Sequence, residues 1–360
     1  MADSVMRHHV PSQWHYEHGL ALLAIEQVGQ RTDDPRFSSY VREAIDPFID
    51  PQGKIQTYNI EEYNLDQINP GKVLFPLYRA SGERRYQQAL ALLREQLRNQ
   101  PRTREGGFWH KKIYPHQMWL DGLYMASPFY AEFAMTFNEP TAYDDVAKQI
   151  VLIEKHTRDP KTGLLYHAWD ESKEQRWANP ATGSSPNFWG RAMGWYAMAL
   201  VDVLDYLPTD HPERSSIISI LVRMTDALVN FQDRLTGLWY QVLDQGNRAG
   251  NYVEASASCM FIYAIAKGVR KGYLAKRALD SAAKGYHGVL GNLIEIGERG
   301  EINLNRVCSV GGLGGNPYRD GSFEYYIGEP VVSNDYKGIG PFILASLEME
   351  SPVASTEGWP

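Results

Sequence analysis

Two aspartates stand where a general acid and a second carboxylate could work together. Asp121 falls on the first turns of a predicted apolar helix, and Met125 and Phe129 follow it at helical spacing, so the three share a core-facing side. Burial raises the pKa of a carboxyl, and a raised pKa suits a general acid. The alternative is a carboxylate that only complements the positive end of the helix dipole.

Asp66 lies just before an earlier helix and is equivalent to Asp121 in the order of the predicted helices. Two carboxyls at neighbouring helix starts could face each other across one pocket. Their repulsion would then separate their pKa values into those of an acid and a base. The alternative is an aspartate that caps a turn.

His110 and His167 end two copies of a short linker pattern and could hydrogen-bond a sugar hydroxyl or a substrate carboxylate. A metal held by these two, His116 and an aspartate is a weaker alternative. The sequence has neither a histidine pair at i, i+4 nor a His-Glu-x-x-His motif. We therefore predict no metal and no cofactor.

Arg191 and Trp195 are four residues apart at a helix start, which places them on one helix face. Arginine pairs well with a carboxylate, and a tryptophan face can stack on a sugar ring. Trp119 and Trp189, two residues before Asp121 and Arg191, are further candidates for sugar contact. The alternative for Arg191 is an internal salt bridge, because arginine at a helix N-terminus opposes the dipole and needs an anion.

The elements that must position these residues are helices. Asp34–Pro35 and Asn69–Pro70 each fit an N-cap followed by proline at the first helical position, and Gly82 fits a helix stop. Apolar residues with helical period predict the segments 12–30, 35–49, 69–81, 84–99, 117–137, 140–157, 188–207, 211–231, 254–271, 277–295 and 335–349.

The connections between these helices alternate between short and long. Short loops join antiparallel neighbours, so the pattern predicts six helical hairpins closed into an all-α (α/α)6 barrel. The sixth hairpin shows one clear helix, and a chain terminus or a turn near residue 300 could complete the ring. The long linkers share a glycine followed by an alternating stretch, which predicts short extended pieces at 107–110, 163–167 and 237–241.

Composition narrows the class of protein. The chain has 360 residues, a net charge of −7 and two cysteines, Cys259 and Cys308. The negative charge argues against a nucleic-acid partner and an anionic membrane surface, and no apolar stretch is long enough to span a bilayer. We predict one domain over 1–360 and, because no signal peptide is recognisable, a cytoplasmic protein.

Several motifs together resemble glycoside hydrolase family 105, the unsaturated rhamnogalacturonyl hydrolases, which are related to the unsaturated glucuronyl hydrolases. The resemblance covers about residues 12–350, and Ala192-Met193 stands where the family more often has Gly-Asn. The motifs are Leu65-Asp66-Gln67-Ile68-Asn69, Gly107-Phe108-Trp109-His110-Lys111, Met118-Trp119-Leu120-Asp121-Gly122-Leu123-Tyr124-Met125, Tyr166-His167-Ala168-Trp169-Asp170 and Trp189-Gly190-Arg191-Ala192-Met193-Gly194-Trp195.

The resemblance implies an (α/α)6 barrel that removes unsaturated galacturonic acid from lyase-made rhamnogalacturonan fragments. It implies an acid/base role for Asp121, a supporting role for Asp66, and a sugar site lined by His110, His167, Arg191 and Trp195. The expected ligand is an unsaturated uronic-acid disaccharide or short oligosaccharide, bound by a monomer or homodimer. The alternatives are an unsaturated glucuronyl hydrolase, an N-acylglucosamine-epimerase-like toroid with paired histidines, and a sugar-binding toroid without activity.

Overall fold

A computed structural model describes residues 1–8 and 11–351. Positions 9, 10 and 352–360 of the predicted domain lie outside the described residues, so a single domain over 1–360 stays a prediction. The described α-helices are α1 (Ala2–His8), α2 (Tyr16–Thr32), α3 (Pro35–Ile45), α4 (Leu74–Ser81), α5 (Arg84–Asn99), α6 (Leu120–Phe137), α7 (Ala142–Thr157), α8 (Gly190–Val203), α9 (Arg214–Asn230), α10 (Ala255–Arg270), α11 (Leu279–Asn292), α12 (Phe323–Gly328) and α13 (Tyr336–Met349).

Short strands in the long linkers form two-stranded antiparallel sheets, in which β1 pairs with β2, β3 with β4 and β5 with β6. The strands are β1 (Gln117–Trp119), β2 (Ala168–Asp170), β3 (Ile294–Ile296), β4 (Ile302–Leu304), β5 (Val307–Cys308) and β6 (Val331–Val332).

An inner ring of six helical segments closes on itself. The 3-10 segment Asn69–Val73, which continues into α4, packs between α2 and α6; α6 then packs on α8, α8 on α10, α10 on α13, and α13 on α2. The outer helices α3, α5, α7, α9 and α11 each pack on the inner helix that precedes them. This arrangement confirms the predicted (α/α)6 barrel.

The sixth hairpin is the incomplete one. Its inner helix α13 closes the ring, and within the described ranges no helix follows it. Instead, α1 lies beside the start of α13: Met1 and Val5 line a cavity of about 310 Å³ together with Tyr336 and Ile339. The Ser4 hydroxyl also accepts a hydrogen bond of 3.2 Å from the Ile302 amide. The N-terminal segment, for which no helix was predicted, therefore forms α1 next to the incomplete sixth hairpin.

Local capping explains several helix limits. Asp34 caps α3 by accepting from the Arg36 amide, with Pro35 at the first helical position, and Gly82 ends α4 with a φ of 67°. The predicted cap at Asn69 is wrong, because Asn69 lies inside the 3-10 segment and its buried amide group has no described hydrogen-bond partner.

The predicted helix 117–137 begins three residues too early. Gln117–Trp119 is strand β1, because its backbone pairs with β2 in the register Met118 to Trp169. This pairing joins two long linkers at the start of α6. The Leu120 amide donates to the His167 carbonyl at 3.0 Å, and the His110 amide donates to the Gln117 carbonyl at 2.8 Å. Both histidines are thereby brought to the helix that carries Asp121.

The first five inner segments run in the same direction, because each is followed by an antiparallel outer helix. The ion pair of Lys337 with Glu17 places the start of α13 beside the start of α2. The N-termini of the inner segments therefore meet at one end of the barrel, which is where the long linkers converge. None of the described helices combines the length and the apolar character needed to cross a membrane.

Candidate active site

A pocket of about 250 Å³ opens among the N-termini of the inner helices. Five of the predicted site residues line it: Asp66, His110, Trp119, Asp121 and Trp195. The other lining residues are His15, Tyr16, Glu17, Lys111, Tyr114, Met125, Val310, Gly311 and Arg319.

Asp121 stands on the first turn of α6 and faces a histidine. Its Oδ2 atom lies 3.0 Å from Nε2 of His167, whose side chain is fully buried. Nδ1 of His167 in turn lies 2.8 Å from the Tyr326 hydroxyl on α12. Asp121 keeps 13% of its side chain exposed, so a ligand in the pocket can reach the carboxyl. His167 is held in place on its other side by Tyr326.

Asp66 is held by a lysine. Its Oδ2 atom lies 2.6 Å from Nζ of Lys111, and its Oδ1 atom lies 3.6 Å from Nε2 of His110. Burial by itself would raise the pKa of Asp66, but the positive charge and hydrogen bond of Lys111 outweigh it and hold this pKa below its usual value. Asn64, rather than Asp66, caps the local turn by accepting from the Asp66 amide. The site therefore presents Asp66 as a carboxylate.

His110 is neutral at ordinary pH. Burial lowers its pKa to about 4, against the opposing effect of Asp66. Its ring stacks on Trp119 at 4.6 Å, and Trp119 stacks on Tyr114 at 4.8 Å. Gly122 permits this position, because a Cβ there would lie 2.9 Å from Nδ1 of His110. A neutral imidazole in a fixed stack can donate or accept one hydrogen bond without carrying charge.

Trp195 forms a second aromatic wall. It is buried, stacks on Tyr124 at 5.0 Å and meets Tyr16 edge-on at 6.2 Å. Together with the stack of His110, Trp119 and Tyr114, it gives the pocket apolar ring surfaces beside its carboxylates. That combination suits a sugar, which has apolar C–H faces and polar edges.

Arg191 and Trp189 lie behind the pocket rather than on its wall. The Arg191 guanidinium donates to the Ser256 hydroxyl at 2.7 Å, contacts Glu254 at 3.3 Å and also donates to the Cys308 carbonyl. Arg191 and Glu254 are both fully buried, so the internal salt bridge, the alternative for this residue, is present. Trp189 stacks on Tyr326 at 5.6 Å.

Besides two tyrosines, sequence patterns missed four basic or acidic residues of the site: His15, Glu17, Lys111 and Arg319. A signal for one of them existed. Glu17, Asp121, Arg191, Ser256 and Lys337 are each the second residue of an inner helix. Glu17 pairs with Lys337 of the neighbouring helix, as Arg191 bonds to Ser256. A search for polar residues at that position would have found Glu17. No such signal marks Arg319, which lies in an irregular linker.

A larger cavity of about 930 Å³ lies elsewhere on the rim, bordered by the end of α7 and the linker after it. His156 stacks on Trp169 there at 3.7 Å and bonds to Glu105 at 2.7 Å. None of the predicted site residues lines this cavity. We assign the chemistry to the smaller pocket because it contains both aspartates. In the described part of the chain, no group of three metal-binding side chains comes together.

Comparison with known proteins finds a matching family profile and a similar solved structure. The sequence profile of Glycosyl Hydrolase Family 88 matches residues 2–352. A solved structure of a C. acetobutylicum glycoside hydrolase from family 105 is 49% identical in sequence and superposes with a TM-score of 0.95. The alignment covers 97% of this chain and 98% of that chain.

Two curated relatives are also similar. A "24.9 kDa protein in picA locus" of Rhizobium radiobacter is 42% identical over 237 residues, which are 62% of this chain and 97% of that protein. The unsaturated rhamnogalacturonyl hydrolase YesR of Bacillus subtilis is 27% identical over 251 residues, 68% of either chain.

Proposed function

The chain belongs to glycosyl hydrolase family 88 and is a glycosidase, and we propose that it removes 4,5-unsaturated galacturonic acid from the non-reducing end of rhamnogalacturonan oligosaccharides. One observation carries the proposal: Asp121 lies 3.0 Å from His167 at the wall of a small pocket that also contains Asp66. YesR, a relative along two thirds of the chain, is named for that activity. The family membership sets aside the epimerase-like toroid.

The chemistry is a hydration of the C4=C5 double bond. Protonated Asp121 gives its proton to C4, and positive charge develops at C5 and the ring oxygen. Water adds at C5 and passes a proton back to the same carboxylate, so the enzyme ends the cycle unchanged. The resulting hemiketal opens to a ketone at C5, and the hemiacetal left at C1 collapses to release the next sugar. No covalent intermediate and no metal is required.

The neighbouring groups support this step in different ways. The Asp66 carboxylate, held charged by Lys111, places negative charge beside the cation that forms at C5. The His167 ring lies close enough to Asp121 to adjust its position when the carboxyl gives up and regains its proton. Neutral His110 can hydrogen-bond a sugar hydroxyl. Trp119 and Trp195 supply ring faces for the sugar, whereas Arg191 and Trp189 hold the layer behind them.

The aglycone decides between this substrate and the products of other lyases. Removing the stereocentres at C4 and C5 makes unsaturated galacturonic and glucuronic acids the same sugar, so discrimination must come from the linkage and from the sugar that is released. Val310 lines the pocket and is 45% exposed, which offers an apolar contact for the methyl group of rhamnose. An unsaturated glucuronyl hydrolase remains the second candidate.

Loss of the ultraviolet absorbance of the conjugated enol ether tests the proposal. We expect decay with the unsaturated rhamnogalacturonan disaccharide, and a rate about 10²- to 10⁴-fold lower in Asp121→Asn. Asp226→Asn, which changes an exposed aspartate on α9, is the matched control. Faster decay with a glycosaminoglycan disaccharide would favour the second candidate, and binding without decay on any substrate would favour a sugar-binding toroid. A cytoplasmic location and a monomeric or homodimeric state stay predictions.

A further inference from the structure

Arg319 is a preorganised guanidinium on the pocket wall. Its Nε donates to the Gly314 carbonyl at 2.9 Å, and its Nη2 donates to the Leu313 carbonyl at 3.2 Å and to the Tyr114 hydroxyl at 2.9 Å. Gly312 lets the group lie flat against the backbone, because a Cβ there would lie 2.3 Å from Nη1. All three acceptors are neutral, so they orient the guanidinium without compensating its charge.

Three other cations near the pocket are each paired with a carboxylate. Lys111 pairs with Asp66, Lys337 with Glu17 and Arg191 with Glu254. Arg319 forms no ion pair within the described ranges, and no described group is hydrogen-bonded to its Nη1. Its charge also acts on Lys111, where it opposes protonation. Two positive groups near each other, one of them unpaired, favour an incoming anion.

We infer that Arg319 binds a carboxylate of the substrate through its Nη1 edge and makes the enzyme select acidic over esterified sugars. The inference rests on the proposed function, because it takes the ligand to be an unsaturated uronide. A planar guanidinium fixed by three acceptors suits a carboxylate better than a flexible ammonium does. The carboxylate belongs either to the terminal unsaturated sugar or to a uronic acid further along the oligosaccharide.

Arg319→Gln tests this assignment, and Arg176→Gln is its matched control. Arg176 lies over the ring of Tyr318 in the same cluster of loops but does not line the pocket. Substrates are the unsaturated disaccharide with one carboxylate, its methyl ester, and a tetrasaccharide that carries a second carboxylate. For each protein, the preference is kcat/KM for the acid divided by kcat/KM for the methyl ester. Comparing this ratio between wild type and variant cancels the intrinsic difference in reactivity between acid and ester.

If Arg319 binds the terminal carboxylate, Arg319→Gln lowers kcat/KM for the disaccharide about 10- to 100-fold, mostly through KM, and the acid-over-ester preference disappears. If it binds the second carboxylate, the disaccharide is unaffected and only the tetrasaccharide loses rate. Arg319→Lys should recover part of the loss. Tyr114→Phe, which removes one orienting hydroxyl, should show a smaller loss in the same direction and provides a second variant if Arg319→Gln unfolds.

Wild-type ratios and rates in Arg319→Gln with all three substrates would overturn the inference, as would an equal loss in Arg176→Gln. A wild-type protein that turns over none of the substrates would instead overturn the proposed function. In that event, calorimetric binding of the unsaturated disaccharide to the wild type and to Arg319→Gln still tests the carboxylate contact, and equal affinity would refute it.

Discussion

Asp121 and His167 meet at 3.0 Å although Asp121 stands on α6 and His167 lies in the linker that follows α7. The contact depends on the pairing of β1 with β2, which fixes the His167 backbone beside Leu120. Tyr326 completes the chain from a third part of the sequence by contacting the far nitrogen of the imidazole at 2.8 Å. The surroundings of the Asp121 carboxyl therefore depend on segments that meet only in the folded barrel, and Tyr326 is the member farthest from the carboxyl.

Tyr326→Phe should lower kcat about five- to tenfold with little change in KM. Losing the hydroxyl removes the group that fixes the orientation of the His167 ring, and a single neutral hydrogen bond contributes about 1 kcal/mol. Tyr196→Phe is the matched control, because the fully buried Tyr196 hydroxyl donates to the Ile150 carbonyl away from the pocket. Steady-state rates and thermal unfolding should show similar destabilisation in both variants but slower turnover only in Tyr326→Phe. Equal turnover in the two would contradict the role of Tyr326.

Lys111→Met should destabilise the protein by about 3 kcal/mol at pH 7, because it leaves the Asp66 carboxylate buried without its partner. The pKa of Asp66 is lowered in the fold, so the stability it contributes is present above the usual carboxyl pKa and is lost as the pH falls through the lowered value. The difference between wild type and variant should therefore shrink in acid. Denaturant unfolding at pH 7 and at pH 3 measures it.

The double variant Lys111→Met with Asp66→Asn provides the control for that pair. Removing the charge of Asp66 should recover part of the stability that Lys111→Met loses. If the two losses simply add, the pair is not coupled and Lys111 does not stabilise the Asp66 carboxylate.

Arg191→Met should cost about 3–5 kcal/mol of unfolding free energy, because it leaves Glu254 buried and unpaired. Arg36→Met, which breaks an exposed pair with Asp34, should change the unfolding free energy far less, because solvent screens that pair. Chemical denaturation of the two variants beside the wild type makes the comparison. A loss at Arg191 no larger than that at Arg36 would show that the buried pair adds nothing.

Lys72→Met should stabilise the protein at pH 6 more than at pH 9. Lys72 is buried, its Nζ has no described hydrogen-bond partner, and it lies 3.5 Å from the centre of the Tyr124 ring. Burial lowers its pKa to about 7, partly offset by Asp202 and Glu132. The unfolded chain then binds more protons between pH 7 and the ordinary lysine pKa, so wild-type stability rises with pH in that range.

The gap between Lys72→Met and wild type should narrow by about 2–3 kcal/mol from pH 6 to pH 9. Unfolding in denaturant at a series of pH values gives this slope, since the other titrating groups are shared by the two proteins. Lys267→Met is the contrasting variant, because this buried lysine has carboxylate partners. Its Nζ lies 2.6 Å from both Asp202 and Asp205, so its loss should destabilise the fold. A constant gap would show that Lys72 stays charged throughout.

Helical period and loop length were enough to predict the barrel, because apolar residues recur at helical spacing in the helices and each short loop joins neighbours in the chain. They failed at Gln117–Trp119, which forms a strand by pairing with Ala168–Asp170. That partner lies too far along the sequence for a local pattern to reveal it. They also missed α1 and α12, which are short and make hydrogen bonds to residues far away in the sequence. Local pattern carries no information about such partners.

By itself, the sequence determined which residues stand at the starts of the inner helices, and so placed Asp121 near one end of a closed ring with Asp66 on the turn before another start. Only the tertiary structure decided their partners: Lys111 for Asp66, His167 for Asp121, Glu254 for Arg191, and neutral acceptors for Arg319. Spacing along a helix sets the face on which a side chain lies, because the helical repeat is fixed. The charge opposite that face depends on linkers folded from elsewhere in the chain.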